Sequence, residues 1–304
     1  MTLTTFARHA GAKLAVASLL AVAAGAASAQ AGGTLDKIKE TKAITVAYRD
    51  ASVPFSYLDD NQKPVGFAYE LCEKIIANVK TATGVKDLKV NYQPVTSANR
   101  IPLLQNGTID IECGSTTNNS ERGKVVSFST NYFYTGTRLL VKTSSGIKTF
   151  TDLKGKTLVS TSGTTNLKLV TQLNTDKNWG ATVIAAKDHA EAATLVALGR
   201  ADAFAMDDIL LYGLRANASN PAELAVVGDA IQVEPYAAMV RKDDTAFKKI
   251  VDDTINGMMK SGEFEKLYTK WFQSKIPPKG IDLGAAMPTE LKDNIKNPTD
   301  KPAL

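Results

Sequence analysis

KTLVSTSGTTNLKLVTQLN, residues Lys156 to Asn174, joins an apolar run to a helical pattern through a small polar turn. The run Thr157 to Ser160 is short and rich in residues that favour a buried strand. After the turn, Leu167, Val170 and Leu173 recur with the spacing of one helix face. A strand that leads directly into a helix is the repeating unit of an α/β fold.

The same unit recurs along most of the chain. Strands are predicted at 43–48, 89–95, 108–113, 156–161, 181–186 and 201–206. Helices are predicted at 67–79, 97–107, 164–174 and 188–200, and Asp188 with Glu191 forms a capping-box pattern at the start of the last one. Repeated strand and helix units predict an α/β protein with two mainly parallel sheets.

Two extended segments, 133–142 and 232–242, have no helix of their own and separate the two series of units. We interpret them as two crossings between two lobes. Lobe 1 is then predicted to comprise 34–135 and 234–304, and lobe 2 to comprise 136–233.

The N-terminal segment has the features of a secretory signal peptide. Arg8 and Lys13 precede an apolar run, 14–27, and Ala27-Ser28-Ala29 matches an A-x-A cleavage site. A membrane anchor is the alternative, but the run is shorter than the ~20 residues needed to span a bilayer. We therefore expect cleavage of residues 1–29 and export of a chain without a lipid anchor.

Composition argues against several classes of function. The signal segment carries two of the 36 basic residues and none of the 31 acidic ones, so net charge falls from +5 to +3 on cleavage. The remaining lysines form no basic stripe, which argues against a nucleic-acid partner. Loss of His9 leaves His189 as the only histidine, which disfavours a zinc site. No metal and no cofactor are expected.

Cys72 and Cys113 are the only cysteines. An even number in an exported chain favours a disulfide bond, whereas two buried free thiols are the alternative.

ECGSTTNNSER, residues 112–122, places small hydroxyl and amide side chains immediately after a predicted strand. Taken alone, the stretch could be an ordinary turn that caps a helix. At the carboxyl end of a strand, however, such a turn offers hydroxyls and backbone N–H groups to an anion, and Arg122 could add a bidentate guanidinium.

Four other predicted strand ends carry polar residues: Arg49, then Ser97 with Arg100, then the turn 160–166, then Asp188 with His189. Each could be an ordinary surface or capping residue. The turn 160–166 lacks the lysine of a phosphate-binding loop, so a nucleotide site is not expected. Carboxyl ends of parallel strands meet at one edge, which predicts a shared ligand site there.

Seven motifs occur in a familiar order across the chain: YRDASVPFSYLDD, TSANRIPLLQNG, ECGSTTNNSER, TSGTT, AKDHAEA, MDD and VRKDD. In this set the chain resembles the periplasmic glutamate/aspartate-binding proteins of ATP-binding-cassette importers, within the wider family of polar amino-acid-binding proteins. The resemblance implies a type II periplasmic-binding-protein fold with a ligand held between two lobes. It also implies a periplasmic location, a permease partner, and L-glutamate or L-aspartate as ligand.

The resemblance implies roles for five residues around the ligand's α-carbon. Arg122 and Thr117 would hold the α-carboxylate, and Thr165 would close on it from the second lobe. Ser115 and Asp207 would bind the α-ammonium.

The side-chain carboxylate would be held by Arg49, Ser97, Arg100 and His189. Relatives that bind cationic ligands resemble this chain but carry an aspartate where Arg49 stands. We expect three arginines and an imidazolium to oppose one aspartate. Many relatives have an aromatic residue where Ser52 lies, so apolar cover is expected from Phe55.

Two alternatives stay open. A glutamine or general polar amino-acid carrier would use the same α-amino-acid contacts, and periplasmic dehydratases share the fold but need a general acid or base in the cleft. No catalytic residue is expected, and the chain is expected to be a monomer. Glutamate and aspartate are not ranked, since they differ by one methylene.

Overall fold

The computed structural model describes residues 33–303. The predicted signal peptide lies outside the described residues. Within 33–303, no helix combines the length and the apolar character needed to cross a membrane.

Helices and strands alternate through most of this range. The helices are α1 (Thr34–Thr41), α2 (Phe67–Thr83), α3 (Arg100–Gln105), α4 (Thr165–Asp176), α5 (His189–Ala197), α6 (Asp208–Asn217), α7 (Thr245–Ser261), α8 (Glu263–Phe272) and α9 (Thr289–Lys296). The strands are β1 (Ala43–Tyr48), β2 (Ala51–Ser52), β3 (Ser56–Leu58), β4 (Pro64–Val65), β5 (Lys89–Pro94), β6 (Ile111–Glu112), β7 (Val126–Phe128), β8 (Phe133–Lys142), β9 (Thr157–Thr161), β10 (Thr182–Ala186), β11 (Ala203–Asp207), β12 (Leu224–Tyr236), β13 (Met239–Arg241), β14 (Lys275–Ile276) and β15 (Ile281–Asp282).

Two five-stranded sheets organise the described part of the chain, in the orders β5-β1-β6-β13-β7 and β10-β9-β11-β8-β12. This arrangement is the predicted two-lobed α/β fold. In each sheet four strands point the same way and one strand, β13 in the first and β8 in the second, is reversed and pairs antiparallel with both of its neighbours. The sheets are therefore mixed, with most strands in a common direction. β8 enters the second sheet, and β13 the first, without a crossover helix before it, so each runs against its neighbours.

The two crossings run side by side. β8 and β12 are antiparallel partners, with Thr135 opposite Glu234 and Tyr134 opposite Pro235. A Cβ atom at Gly136 would lie only 2.9 Å from the Ala230 Cβ, so the two strands approach closely there. The part of β12 before residue 232 was not predicted from the sequence. We propose that the lobe boundaries lie in these strands, as predicted from the sequence.

Apolar helical positions form the core, as predicted. On α2, Phe67, Leu71, Ile75 and Val79 recur every four residues and all are fully buried. The aromatic residues of α8 are buried as well. These side chains pack between helix and sheet, so they fix the strands whose ends carry the polar turns.

Cys72 and Cys113 form a disulfide bond with a Cα–Cα distance of 6.0 Å. The prediction of a bond is confirmed, and the alternative of two free thiols is wrong. The bond links α2 to the residue that follows β6, which is the residue that leads into the Ser/Thr-rich turn.

The C-terminal segment forms hydrogen bonds with the chain around Asn118 and Asn131. Its residue Ala303 donates its backbone N–H to the Asn118 carbonyl at 2.9 Å. The Asn118 side chain in turn donates to the carbonyl of Asp300 at 2.8 Å, and Asn131 donates to that of Lys301 at 2.9 Å. The chain end therefore braces the loop that carries Thr117.

Candidate functional site

Residues that follow the carboxyl ends of the parallel strands meet in one cleft between the two sheets. The cleft encloses a small cavity with a free volume of about 10 Å³. It is lined by Ser97, Arg100, Ser115, Thr117, Thr164, Thr165, Asn166, His189, Met206, Asp207 and Leu210. Seven of the nine predicted site residues are in this lining, and the other two, Arg49 and Arg122, contact members of it.

Arg49 and Arg100 bring two buried guanidinium groups to the cleft, with side chains only 3% and 2% exposed. Arg49 Nη2 donates to Ser97 Oγ at 2.7 Å. Within residues 33–303, Arg49 Nη1 and the Nε and Nη1 of Arg100 meet no hydrogen-bond acceptor. Buried donors of this kind are costly unless an acceptor reaches them, and a carboxylate fits the guanidinium fork best.

Both guanidinium groups are expected to carry charge at neutral pH. Burial, and then repulsion from Arg100, lower the pKa of Arg49 to about 9, while Glu112 acts in the opposite direction. Burial also lowers the pKa of Arg100. A pKa near 9 still leaves Arg49 protonated at pH 7, so the cleft presents two fixed positive charges.

The protein groups around His189 favour a neutral ring over the expected imidazolium. Its Nε2 lies 3.4 Å from Arg49 Nη2, and its Nδ1 lies 2.8 Å from Thr161 Oγ1. Because arginine can only donate, Nε2 accepts and the proton of a neutral ring resides on Nδ1. Burial, then Arg49 and Arg100, lower the pKa of His189 well below its usual range. The neutral ring therefore orients Arg49.

The loop with Arg122 does not lead into an α-helix. Arg122 starts a single 3₁₀ turn, and its backbone N–H donates to Asn119 Oδ1 at 2.9 Å. Local side-chain bonds of this kind compete with helix formation. The Arg122 guanidinium donates to the Thr117 carbonyl at 2.9 Å and across the cleft to the Gly163 carbonyl at 3.2 Å.

The first turn of α4 faces the same space. Thr164 is its N-cap and accepts from the Leu167 N–H at 3.1 Å. The first N–H groups of a helix have no intrahelical acceptor, and the positive end of the helix dipole lies there. Thr165, the first helical residue, lies with its Oγ1 3.4 Å from Thr117 Oγ1 of the opposite sheet. This end of the cavity suits a carboxylate.

Asp207 supplies a buried carboxylate at the end of β11. It accepts from Asn166 Nδ2 at 2.7 Å and from the hydroxyl of Tyr236. Burial, and then the nearby Glu234, raise the pKa of Asp207. Ser115 Oγ donates to Ser52 Oγ at 3.1 Å. An ammonium group would find a carboxyl and a hydroxyl oxygen here, and its charge would favour the ionised form of Asp207.

Two buried acids had no predicted role in the site. Glu234 on β12 is fully buried and accepts from Thr165 Oγ1 at 2.9 Å. Glu112 is fully buried and accepts from Thr116 Oγ1 at 2.7 Å. The sequence signal for Glu234 was its position as an acidic residue between apolar neighbours in a predicted crossing. With Asp207, these acids make three carboxylates against three arginines, and not one against three.

Phe55 was expected to cover the cavity, but it does not line it. It is fully buried and packs edge-on against Phe67, Phe133 and Tyr236. The apolar lining of the cavity comes instead from Met206 and Leu210.

The comparisons with known proteins agree with this architecture. The profile of the family described as bacterial extracellular solute-binding proteins, family 3, matches residues 44–274. The chain is 53% identical over 272 residues to the L-glutamate/L-aspartate-binding protein of Pseudomonas aeruginosa, covering 89% of this chain and 90% of that one. It is 48% identical over 288 residues to the glutamate/aspartate import solute-binding protein of Escherichia coli, covering 95% of each.

Among solved structures, an ancestral arginine-binding protein bound to arginine superposes with a TM-score of 0.67 at 31% identity. The match covers 76% of this chain and 98% of the ancestral protein.

Proposed function

Because the chain belongs to family 3 of the bacterial extracellular solute-binding proteins, we propose that it captures L-glutamate or L-aspartate between its two lobes and delivers it to the permease of an ATP-binding-cassette importer. On this proposal it is an exported, periplasmic monomer. It is a carrier and not an enzyme, so it returns its ligand chemically unchanged.

The observation that carries the proposal is the pair of buried arginines whose N–H groups have no acceptor within residues 33–303. Arg49, which donates to Ser97, and Arg100 offer hydrogen-bond donors to a ligand. Asp207 offers a carboxyl group instead. A ligand with a side-chain carboxylate would satisfy the free donors. A ligand ending in an amide would leave one of its own N–H groups facing a guanidinium.

The α-amino-acid end of the ligand would use the other groups. Arg122, Thr117 and the first turn of α4 offer donors to the α-carboxylate. Asp207 and Ser115 offer acceptors to the α-ammonium. This division follows the roles that the sequence motifs imply, and the distances described above are compatible with it.

The fold alone does not set the charge of the ligand, since the ancestral protein bound to arginine shares it. Two buried cations at the side-chain end would repel a cationic side chain and attract an anionic one. His189 strengthens this preference without carrying charge, because it accepts from Arg49 and holds that guanidinium in place.

A calorimetric titration of the mature protein with glutamate, aspartate, glutamine and asparagine tests the proposal. The acidic ligands should bind most tightly and be recovered intact. Arg100→Ala should weaken glutamate binding about 30-fold or more, because truncating one partner of a buried charge pair costs roughly 2 to 5 kcal/mol. Glutamine binding should change by less than about threefold.

Arg200→Ala is the matched control, since Arg200 is an exposed arginine of lobe 2 outside the cavity lining. It should leave all four affinities unchanged. Tighter binding of glutamine than of glutamate by the wild type would refute the proposed ligand, and so would an unaffected glutamate affinity in Arg100→Ala.

A further inference from the structure

Glu234 lies where the crossing strands meet the proposed α-carboxylate end of the site. Its side chain is fully buried. Its Oε2 accepts from Thr165 Oγ1 at 2.9 Å, and its Oε1 accepts from Gln232 Nε2 at 2.9 Å. Glu234 thus contacts a hydroxyl that lines the cavity without lining the cavity itself.

The Thr165 hydroxyl has one proton, and this limits what it can do. When Glu234 is ionised, it can only accept, so Thr165 donates its proton to Glu234. Thr165 then presents lone pairs to the cavity and would repel a carboxylate. When Glu234 is protonated, it can donate to Thr165, and the hydroxyl proton is free to point at the ligand.

We propose that Glu234 holds a proton in the amino-acid complex, donates it to Thr165, and so turns the Thr165 hydroxyl into a donor for the ligand α-carboxylate. This inference rests on the proposed function, because it places an α-carboxylate against Thr165. Glu234 is a positioning residue that acts through Thr165. Binding of an α-amino acid should then take up a proton.

The charged and titratable groups that face Glu234 are Arg122 and Arg100 from one side, and Asp207 and Tyr236 from the other. Burial raises the pKa of Glu234, while hydrogen bonds from Thr117 and Thr165 and the two arginines act against that rise. A ligand carboxylate would compete with Glu234 for those same hydroxyls and guanidinium groups. Two carboxylates that share donors favour one bound proton.

The sign of the pH dependence follows from this placement. If the pKa of Glu234 is higher in the complex than in the free protein, affinity is greatest below the free-protein pKa and falls as pH rises towards the pKa in the complex. Between the two values the dissociation constant should rise by about tenfold per pH unit, since one proton is exchanged.

The experiment is calorimetry on the mature protein at pH values from about 5.5 to 9, in pairs of buffers with different ionisation enthalpies, with glutamate and with glutamine. The wild type should take up as much as about one proton with either ligand, since both carry the α-carboxylate. Glu234→Gln keeps a permanent amide donor to Thr165, so it should bind with a flat pH profile and no uptake at this position.

His189→Gln is the matched control for the histidine of the cleft, and it should retain the uptake. Glutamate binding by the wild type without proton uptake would overturn the role of Glu234 and leave the proposed function intact. Uptake that persists in Glu234→Gln or disappears in His189→Gln would also overturn it. Absence of any glutamate binding by the wild type would overturn the proposed function and this role together.

Discussion

Gly163→Ala should prevent the two lobes from closing while leaving every proposed ligand contact chemically intact. Gly163 is in the left-handed region, with φ +76°, in the turn before α4. A Cβ atom there would lie 2.5 Å from Ala98 Cα and 2.8 Å from the Ser97 carbonyl carbon of the opposite lobe. Carbon atoms in contact prefer about 3.5 to 4.0 Å. The two segments must therefore separate by about 1 Å.

That separation has a cost that can be worked out from the cleft contacts. The hydrogen bond from Arg122 Nη2 to the Gly163 carbonyl, now 3.2 Å, would lengthen to about 4 Å and be lost. The contact between the Thr117 and Thr165 hydroxyls, now 3.4 Å, would also open. A hydrogen bond to a charged group contributes about 1.5 to 3 kcal/mol. Glutamate affinity should fall roughly 10- to 150-fold.

Alanine at a positive φ also costs about 1 to 2 kcal/mol of folding stability, and a control must remove that effect. Gly146→Ala provides it, because Gly146 has φ +75° and its Cβ would meet no heavy atom of the described chain within 4 Å. Thermal unfolding without ligand should show similar losses for both variants. Calorimetry should show weakened binding only for Gly163→Ala. A glutamate affinity within about threefold of wild type in that variant would refute the closure argument.

Two further predictions concern the loop that follows β6. Arg122→Ala should weaken the binding of every α-amino acid, acidic or neutral, by about 30-fold to several thousand-fold, because it removes the cation that holds the α-carboxylate of all of them. Calorimetry with glutamate and glutamine measures this, and an unchanged affinity for either would contradict it. Reduction of the Cys72–Cys113 bond, which closes a loop with a sequence separation of 41, should lower the free energy of unfolding by roughly 4 kcal/mol. Denaturant titrations with and without reductant measure that loss, and coincident curves would contradict it.

Much of the architecture could be predicted because it depends on local pattern. The helical period of 67–79 predicted the helix that the structure has as α2. Polar residues after strand ends predicted where the cleft lies, since parallel strands align their carboxyl ends. The strand β12 was harder, because Gly228 and its neighbour Asp229 read as a turn, and only pairing with β8 holds that stretch extended.

The electrostatics of the cleft could not be predicted in the same way, because the charge of a buried group depends on neighbours that the chain brings from elsewhere. From the sequence, His189 at a helix start beside a ligand carboxylate would gain a proton. In the structure Arg49 Nη2 lies 3.4 Å from its Nε2, and that cationic donor disfavours a second proton on the ring. The neighbours of Glu234 in sequence are apolar or neutral, and only the fold places its carboxyl group against Thr165. A proton that accompanies ligand binding is therefore better sought on Glu234 than on the only histidine of the described chain.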